Sequence, residues 1–578
     1  MSKVSSAIQS SSLGSETGPG GSNLSIANEK TTALGRLNDR VSEWCSSILV
    51  KETRQALKSR QFIWTYLALL VCVGVWTVLG LATSYDQYRA GPQLLFGFMV
   101  ILGFPLGLII PFGAYRSLAR EFEDGTINLI SITTMKPHQI VIGKFGSAIL
   151  QMLIYLSVLA PCICFTYMLR GISLNQIVLG ISICVGGSIC LTVLGLFLAG
   201  VFRSRAIGVG VSVLFVLLLG WLYFCWCALM ERFTRYSSSS DFNDPEFGMI
   251  VYGFVAFFGS TAVLLLVTAA SQISFPADNR STPIRIAMFV QQILFFAFMV
   301  MLIPEMLWED MAVHVMLLFA AHYWLIMGFL MIGESVFVSR RVQRTLPRTF
   351  LSRSAFSLFM PGAGRGFLFA VANVWVCAVV ILLMVQFSDL LIDEITQQNS
   401  RSRWRGRGQW TVSVKLVFHS FVCCLFVTWF LAVIYLVMRC FNNAKARWST
   451  GVGPTVSLFL GFLLIAILSI GSLIIHLNLI GWSGWMATPA LMVNWYYVTY
   501  ELAESGINGE FLRQSVWYFL FAIQKVIVIG IAFALASREL LLRPIAVPER
   551  VQIENQKPKS SAVPAGESID EIFGELKK

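Results

Sequence analysis

Apolar residues come in long blocks along this chain, separated by short polar stretches. A helix that crosses a bilayer needs about 20 predominantly apolar residues. By that measure the pattern predicts six spans in the first half, at 62–83, 94–115, 145–169, 176–202, 206–229 and 249–271. It predicts six more in the second half, at 286–304, 312–333, 367–388, 414–438, 454–476 and 514–537. The stretch 485–500 is apolar and aromatic but too short to cross, which suits a re-entrant or interfacial segment. The expected fold is an all-α polytopic membrane protein of twelve transmembrane helices, one six-helix unit over 62–275 and a second over 276–538.

The polar flanks read differently. Residues 1–35 are Ser/Gly-rich, with too few apolar side chains to bury, and are expected to be disordered. They hold no apolar stretch of the kind a secretory signal carries. Over 36–61, Leu37, Val41, Trp44, Ile48 and Leu49 recur at helical spacing among charges, with Leu57 continuing a weaker stripe. That pattern predicts an amphipathic elbow helix in the membrane interface, with Lys51, Arg54, Lys58 and Arg60 near anionic lipid headgroups. The plainer alternative is the end of the first span. The tail, 539–578, is polar and closes on Ser568 and Glu571, a capping-box pattern followed by Ile572, Phe573 and Leu576. So short a helix is marginal alone.

Composition agrees with this outline. The 578 residues are 56% hydrophobic and only 13% charged, with a mean hydropathy of +0.71; soluble proteins carry about 25% charged residues. The net charge of +12 does not call for nucleic acid, because basic residues of a polytopic protein gather in cytoplasmic loops and set orientation. With both termini in the cytoplasm, the inside loops hold Arg116, Arg120, Lys136, Arg203, Arg205, Arg340, Arg341, Arg344, Arg348, Arg353, Arg439, Lys445 and Arg447. Arg401, Arg403, Arg405 and Arg407 dissent. Either Asp389, Asp393 and Glu394 offset them, or the count shifts by one span nearby.

Catalytic and metal chemistry find little support. The best phosphate-loop candidate, Gly143-Lys144, has His138 where a glycine belongs and Phe145 where a magnesium-binding hydroxyl belongs. No nucleotide is expected on this chain, and no enzyme activity. The five histidines form no zinc motif, and the Cys162/Cys164 and Cys225/Cys227 pairs lie in or beside apolar runs without His partners. Buried cysteine as a small hydrophobe is the better account, and no metal is expected. Charged groups inside a span are costly. Lys525, in mid-span beside Gln524, is therefore a candidate intramembrane site. The plainer readings are a structural pair with a carboxylate, or snorkelling. His322 is a second candidate; it shares a span with His314, two turns away, and the two are placed to face one cavity.

The segment Tyr115–Lys144 is the longest polar insert of the first half, and it has an internal plan. Basic Arg116 and Arg120 lead into acidic Glu121, Glu123 and Asp124. Gly125-Thr126 then breaks the chain, a short apolar run follows, and Pro137 opens a new helix. Glycine permits a sharp turn, threonine is a good N-cap, and proline suits a first helical turn. Two short helices along the membrane surface are expected.

Two stretches together resemble the permease subunits of ATP-binding-cassette exporters of the second class (ABC-2 type). Ile48-Leu-Val-Lys-Glu-Thr-Arg54 is similar to that family's approach to its first span, with Ser46-Ser47 in place of Asn-Pro. Arg120-Glu-Phe-Glu-Asp-Gly-Thr126, Thr133-Thr-Met-Lys-Pro137 and Ile140-Val-Ile-Gly-Lys144 are similar to its first cytoplasmic loop, with Met135-Lys136 altering the Thr-to-Pro spacing. The likeness covers about 45–275. It implies a permease in the cytoplasmic (inner) membrane whose loop 115–144 docks on a separate ATPase subunit that carries ATP and magnesium. By position, Arg120, Glu121, Glu123, Gly125, Thr126, Pro137, Gly143 and Lys144 belong to that coupling region, and Lys51, Glu52 and Arg54 to the elbow helix. The family commonly has about six spans and works as a dimer. The second half is then either a diverged partner half, making an internal pseudo-dimer, or a helical extension that leaves the first half to form a homodimer. Its loop Glu334–Phe367 holds Pro361-Gly-Ala-Gly-Arg-Gly366 but no acidic-Gly-Thr corner. Two further readings stay open: a membrane anchor or assembly factor that turns ATPase work on envelope components, and a lipid-modifying enzyme.

Overall fold

The protein is described by a computed structural model covering residues 47–84, 90–127, 135–168, 172–201, 205–236, 245–275, 278–306, 310–334, 339, 342–343, 349–398, 414–444, 453–480, 494–498 and 515–540. The tail 1–35, the start of the elbow segment, the arginines of 401–407, most of 485–500 and the tail beyond 540 lie outside these residues. Twelve of the described helices are long and apolar enough to cross a membrane, and no strand occurs among the described residues. The chain is an all-α, multi-pass integral membrane protein.

All twelve expected spans are present. They are, in order, Arg60–Ser84, Ala90–Glu123, Pro137–Met168, Leu174–Val201, Arg205–Tyr236 and Pro245–Ile273, then Ser281–Met306, Asp310–Ile332, Ala363–Gln398, Val414–Ala444, Gly453–Ile480 and Ser515–Leu540. The second departs most from expectation. The polar residues after 115 do not leave it as a separate surface helix: the chain stays helical to Glu123. Of this span, 33 residues (Gly91–Glu123) reach about 50 Å at 1.5 Å per residue, against a hydrocarbon core of about 30 Å. Counting apolar residues marks where the greasy face ends, whereas helical hydrogen bonding continues until something breaks it. Here Gly125 breaks it, at φ +68°.

A π-helical segment, Pro105–Ile109, interrupts that span without ending it. Pro111 has no N–H to offer the preceding turn, and Ser188 of the fourth span donates to the Leu106 carbonyl at 2.6 Å. The third span begins at Pro137, as expected for proline in a first turn. Ser59 caps the first: its hydroxyl accepts from Phe62 N at 3.1 Å, separating the elbow helix Ser47–Leu57 from the span.

The two halves are built alike. In the first, the principal packing pairs are spans one–two, one–three, two–three, two–four, two–five, three–four, three–six, four–five and four–six. Each pair recurs six spans later, from seven–eight to ten–twelve, and the main link between halves is six on seven. Successive spans alternate in direction. The elbow helix, Glu123, Pro137, Ser281, Ile332, Ala363 and Leu540 therefore fall at one face of the bundle, called the elbow face below.

Candidate functional site

The elbow helix lies across the start of the third span. Ile48, Leu49 and Glu52 share one helical face, because residues three and four apart are neighbours. Opposite them stand two glycines. A Cβ at Gly143 would lie 2.9 Å from Ile48 Cγ2 and 3.3 Å from the Leu49 amide nitrogen; one at Gly146 would lie 2.9 Å from Leu49 Cδ1. Only glycine admits the helix this closely.

One turn along the same contact, Lys144 is buried, with 2% of its side chain exposed. It is held on the inner face by the helical spacing of Ile140, Val141, Lys144 and Ala148, all buried. Its ammonium sits 3.1 Å from Glu52 Oε1 and 2.9 Å from Glu121 Oε1, and donates to Ser117 Oγ at 2.7 Å. Ser117 donates in turn to Glu52 Oε2 at 3.1 Å. An ammonium has three N–H donors, and all three are engaged. Ser117 and Glu121 are four apart on the second span, so both face the lysine. The junction ties together the elbow helix and the second and third spans. It holds two carboxylates against one cation, and Glu121 Oε2 and Thr53 Oγ1 are buried without a hydrogen-bond partner among the described residues.

The structure thus sorts the sequence candidates into two groups. Glu52, Glu121, Gly143 and Lys144 form an internal junction. Lys51, Arg54, Arg120 and Glu123 are exposed and free to meet a partner. The Thr126 hydroxyl donates back to the Glu121 carbonyl at 3.2 Å; the amides that it would cap as an N-cap lie outside the described residues. The surface helix expected after Thr126 runs into residues 128–134, outside those described.

The second half carries a matching junction that sequence reasoning missed. Glu334, at the end of the eighth span, accepts from Arg285 Nη2 at 2.7 Å, from Ser281 Oγ at 2.6 Å and from the Gly362 amide at 3.1 Å. Arg285 is fully buried and also donates to the Leu358 carbonyl. Beside it, Glu539 accepts from the Gly364 amide at 2.8 Å and pairs with Arg439 at 3.2 Å, while Arg365 donates to the Glu539 carbonyl at 2.9 Å. Pro361-Gly-Ala-Gly-Arg-Gly366 is therefore clamped between two glutamates. Its glycine-rich composition was the only sequence signal, because Arg285, Glu334, Arg439 and Glu539 look like ordinary loop charges at span ends.

Lys525 is 5% exposed and faces the bundle interior, as expected. Among the described residues no carboxylate pairs with it. Its ammonium lies over the rings of Phe426 at 4.3 Å, Trp429 at 5.7 Å and Phe521 at 5.7 Å, a cation–π environment. His322 is not brought to it. That ring stacks on Trp495 at 4.6 Å, and Phe430, against Trp495 on one side and Trp429 on the other, stands between the two sites. His314, two turns away on the same span, packs edge-on against His419 at 4.6 Å. The described cysteines are all free; Cys184, Cys377, Cys423 and Cys424 are buried, while Cys72, Cys164 and Cys225 lie on the outer surface. No metal-binding cluster occurs among the described residues.

Comparison with known protein families, with characterised proteins and with solved structures returns no match for this chain.

Proposed function

We propose that this protein is the membrane permease of an ABC exporter, driven by a separate ATPase subunit that docks on the elbow face beside residues 115–144. One observation carries the reading. Glu52, Glu121 and Lys144 come from the stretches that resemble the ABC-2 family, and they meet in one buried ion junction. A partner pushing on the connector after Glu123 moves the second and third spans and the elbow helix together, because that junction makes them one mechanical unit. Arg120 and Glu123 supply exposed charge at the contact. The elbow face is then cytoplasmic, and ATP with its magnesium stays on the partner.

The repeated pairing of spans supports the first of the two alternatives for the second half, that residues 276–538 are a diverged partner half and the chain is an internal pseudo-dimer. A single chain then forms the transport path.

The test is association. Glu123→Lys with Arg120→Glu should leave the membrane domain folded, and should strip the ATPase from the purified complex and abolish substrate-stimulated ATP hydrolysis in liposomes. Undiminished association and hydrolysis in that double variant sink the docking site. ATPase association without any solute movement points instead to an anchor or assembly role.

A further inference from the structure

A cavity of about 290 Å³ lies where the two halves meet, between the sixth, seventh, eighth and ninth spans. Its lining runs from Gly253 to Ser260, Gln291 to Phe298, Val315 to Trp324 and Cys377. These positions fall from mid-span outward, away from the elbow face and its ion junctions. An engineered apolar cavity of about 150 Å³ stays dry and takes up benzene, so this one has room for a larger apolar body. Two of the lining residues, Val315 and Phe319, are 57% and 48% exposed on the outer surface of the bundle, where lipid would lie. The route in is through the bilayer.

The wall is carbon, with polar groups of the lining residues packed behind one side of it. Tyr323 donates to Gln291 Oε1 at 2.9 Å, Gln291 Nε2 donates to Thr261 Oγ1 at 2.9 Å, and Thr261 donates to the Phe257 carbonyl at 2.7 Å. That chain is satisfied internally. Its neighbour Gln292 is not: only 4% exposed, it has neither amide atom hydrogen-bonded among the described residues. Buried polar groups nearly always have a partner, and each exception needs an explanation. In a membrane interior an unpaired amide is worse placed still. Gln292 borders the cavity with its donor and acceptor covered just behind the wall, where a turn of the side chain brings them to the space.

We propose that this cavity is a binding site for a small neutral amphiphile taken from the bilayer. The ligand has an apolar body that fits the cavity and one uncharged donor–acceptor group, such as a carboxamide, that pairs with the Gln292 amide after a turn of its terminal torsion. Charged headgroups are excluded, because no charged side chain lines the space. The inference does not depend on the export reading.

The full-length protein in nanodiscs is to be photolabelled with a diazirine derivative of decanamide, with label mapped by mass spectrometry. Label should gather on Phe257, Leu294, Val315 and Phe319. Decanamide should compete at about tenfold lower concentration than decane, because decane can make no hydrogen bond to Gln292. Gln292→Leu should remove that preference while keeping the label. Ala256→Trp, and independently Ala320→Met, should fill the cavity and remove the label, with monodispersity on size exclusion as the check of folding. Even labelling of all outer helix faces, or label that survives in either folded cavity-filling variant, overturns the site. Equal competition by decane and decanamide in the native protein overturns the role of Gln292. Displacement only by long-chain phospholipid overturns the small ligand in favour of a lipid tail.

Discussion

The two junctions at the elbow face occupy the same place in the two halves and solve it with opposite chemistry. In the first half a lysine at the start of the third span is surrounded by carboxylates from the elbow helix and the second span. In the second half the carboxylate of Glu334, at the end of the equivalent span, is surrounded by donors: Arg285, Ser281 and the Gly362 amide. Both junctions join the end of the half's second span to the start of its third. The remaining partner is the elbow helix before the first span in the first half, and the opening turns of the first span itself, Ser281 and Arg285, in the second. Each leaves a buried charged-group atom without a described partner, Glu121 Oε2 in the first and Arg285 Nε in the second, so the difference lies in the balance of charge. The first junction has one carboxylate more than it has cations. The second satisfies its carboxylate with an arginine and a backbone amide, and a second glutamate, Glu539, reinforces it. The first has the chemistry of a joint that can be rearranged, the second that of a fixed clamp.

That contrast can be broken in several ways, the largest first. Glu334→Ala strands a fully buried arginine, and removing one partner of a buried pair costs about 3–5 kcal/mol. Thermal unfolding in mild detergent should show a large loss, and an unchanged midpoint would dismiss the clamp. Lys144→Met leaves two carboxylates facing each other. It should cost somewhat less, about 3 kcal/mol, because Glu52 and Glu121 retain some access to solvent. It should also free the elbow helix, seen as faster tryptic cleavage at Arg54 and Lys58. Combining the two substitutions asks whether the junctions are independent; sites without shared partners add to within about 0.5 kcal/mol, and a larger departure would mean that the halves are coupled through the membrane. Gly143→Ala is smaller. It crowds the elbow helix without touching a charge, and overpacking costs about 1–3 kcal/mol; the same cleavage assay should respond, with the ion junction still present. Smallest is Glu123→Lys alone, exposed and unpaired in the junction, for which the unfolding midpoint should shift within about 0.5 kcal/mol while partner association falls.

Much of the fold was legible because crossing a bilayer is a local demand. A window of about 20 apolar residues is enough to place a span, and all twelve were placed that way. Pro137 and Gly125 were also readable, since the ring of one and the missing side chain of the other restrict or free the backbone wherever they stand. The continuation of the second span to Glu123 was not. Arg116, Arg120, Glu121 and Glu123 look like a loop to a hydropathy window, but the helix runs on through them to Glu123, with Ala114, Tyr115 and Leu118 turned inward.

The elements of this protein, their order and the special chemistry of the two motif stretches follow from residues close together in the chain. Which charges meet does not. Glu52 and Lys144 are 92 residues apart, Arg285 and Glu334 are 49 apart, and Gly364 and Glu539 are 175 apart. A glutamate at the end of a span reads the same whether it faces solvent or a buried lysine. Its fate depends on which helix is laid against it, and that is set by side-chain fit across whole spans, as where Gly143 lets Ile48 approach. The same holds for Lys525, whose partners among the described residues are rings rather than a carboxylate, and for Gln292, whose missing partner shows only once the surrounding helices are in place.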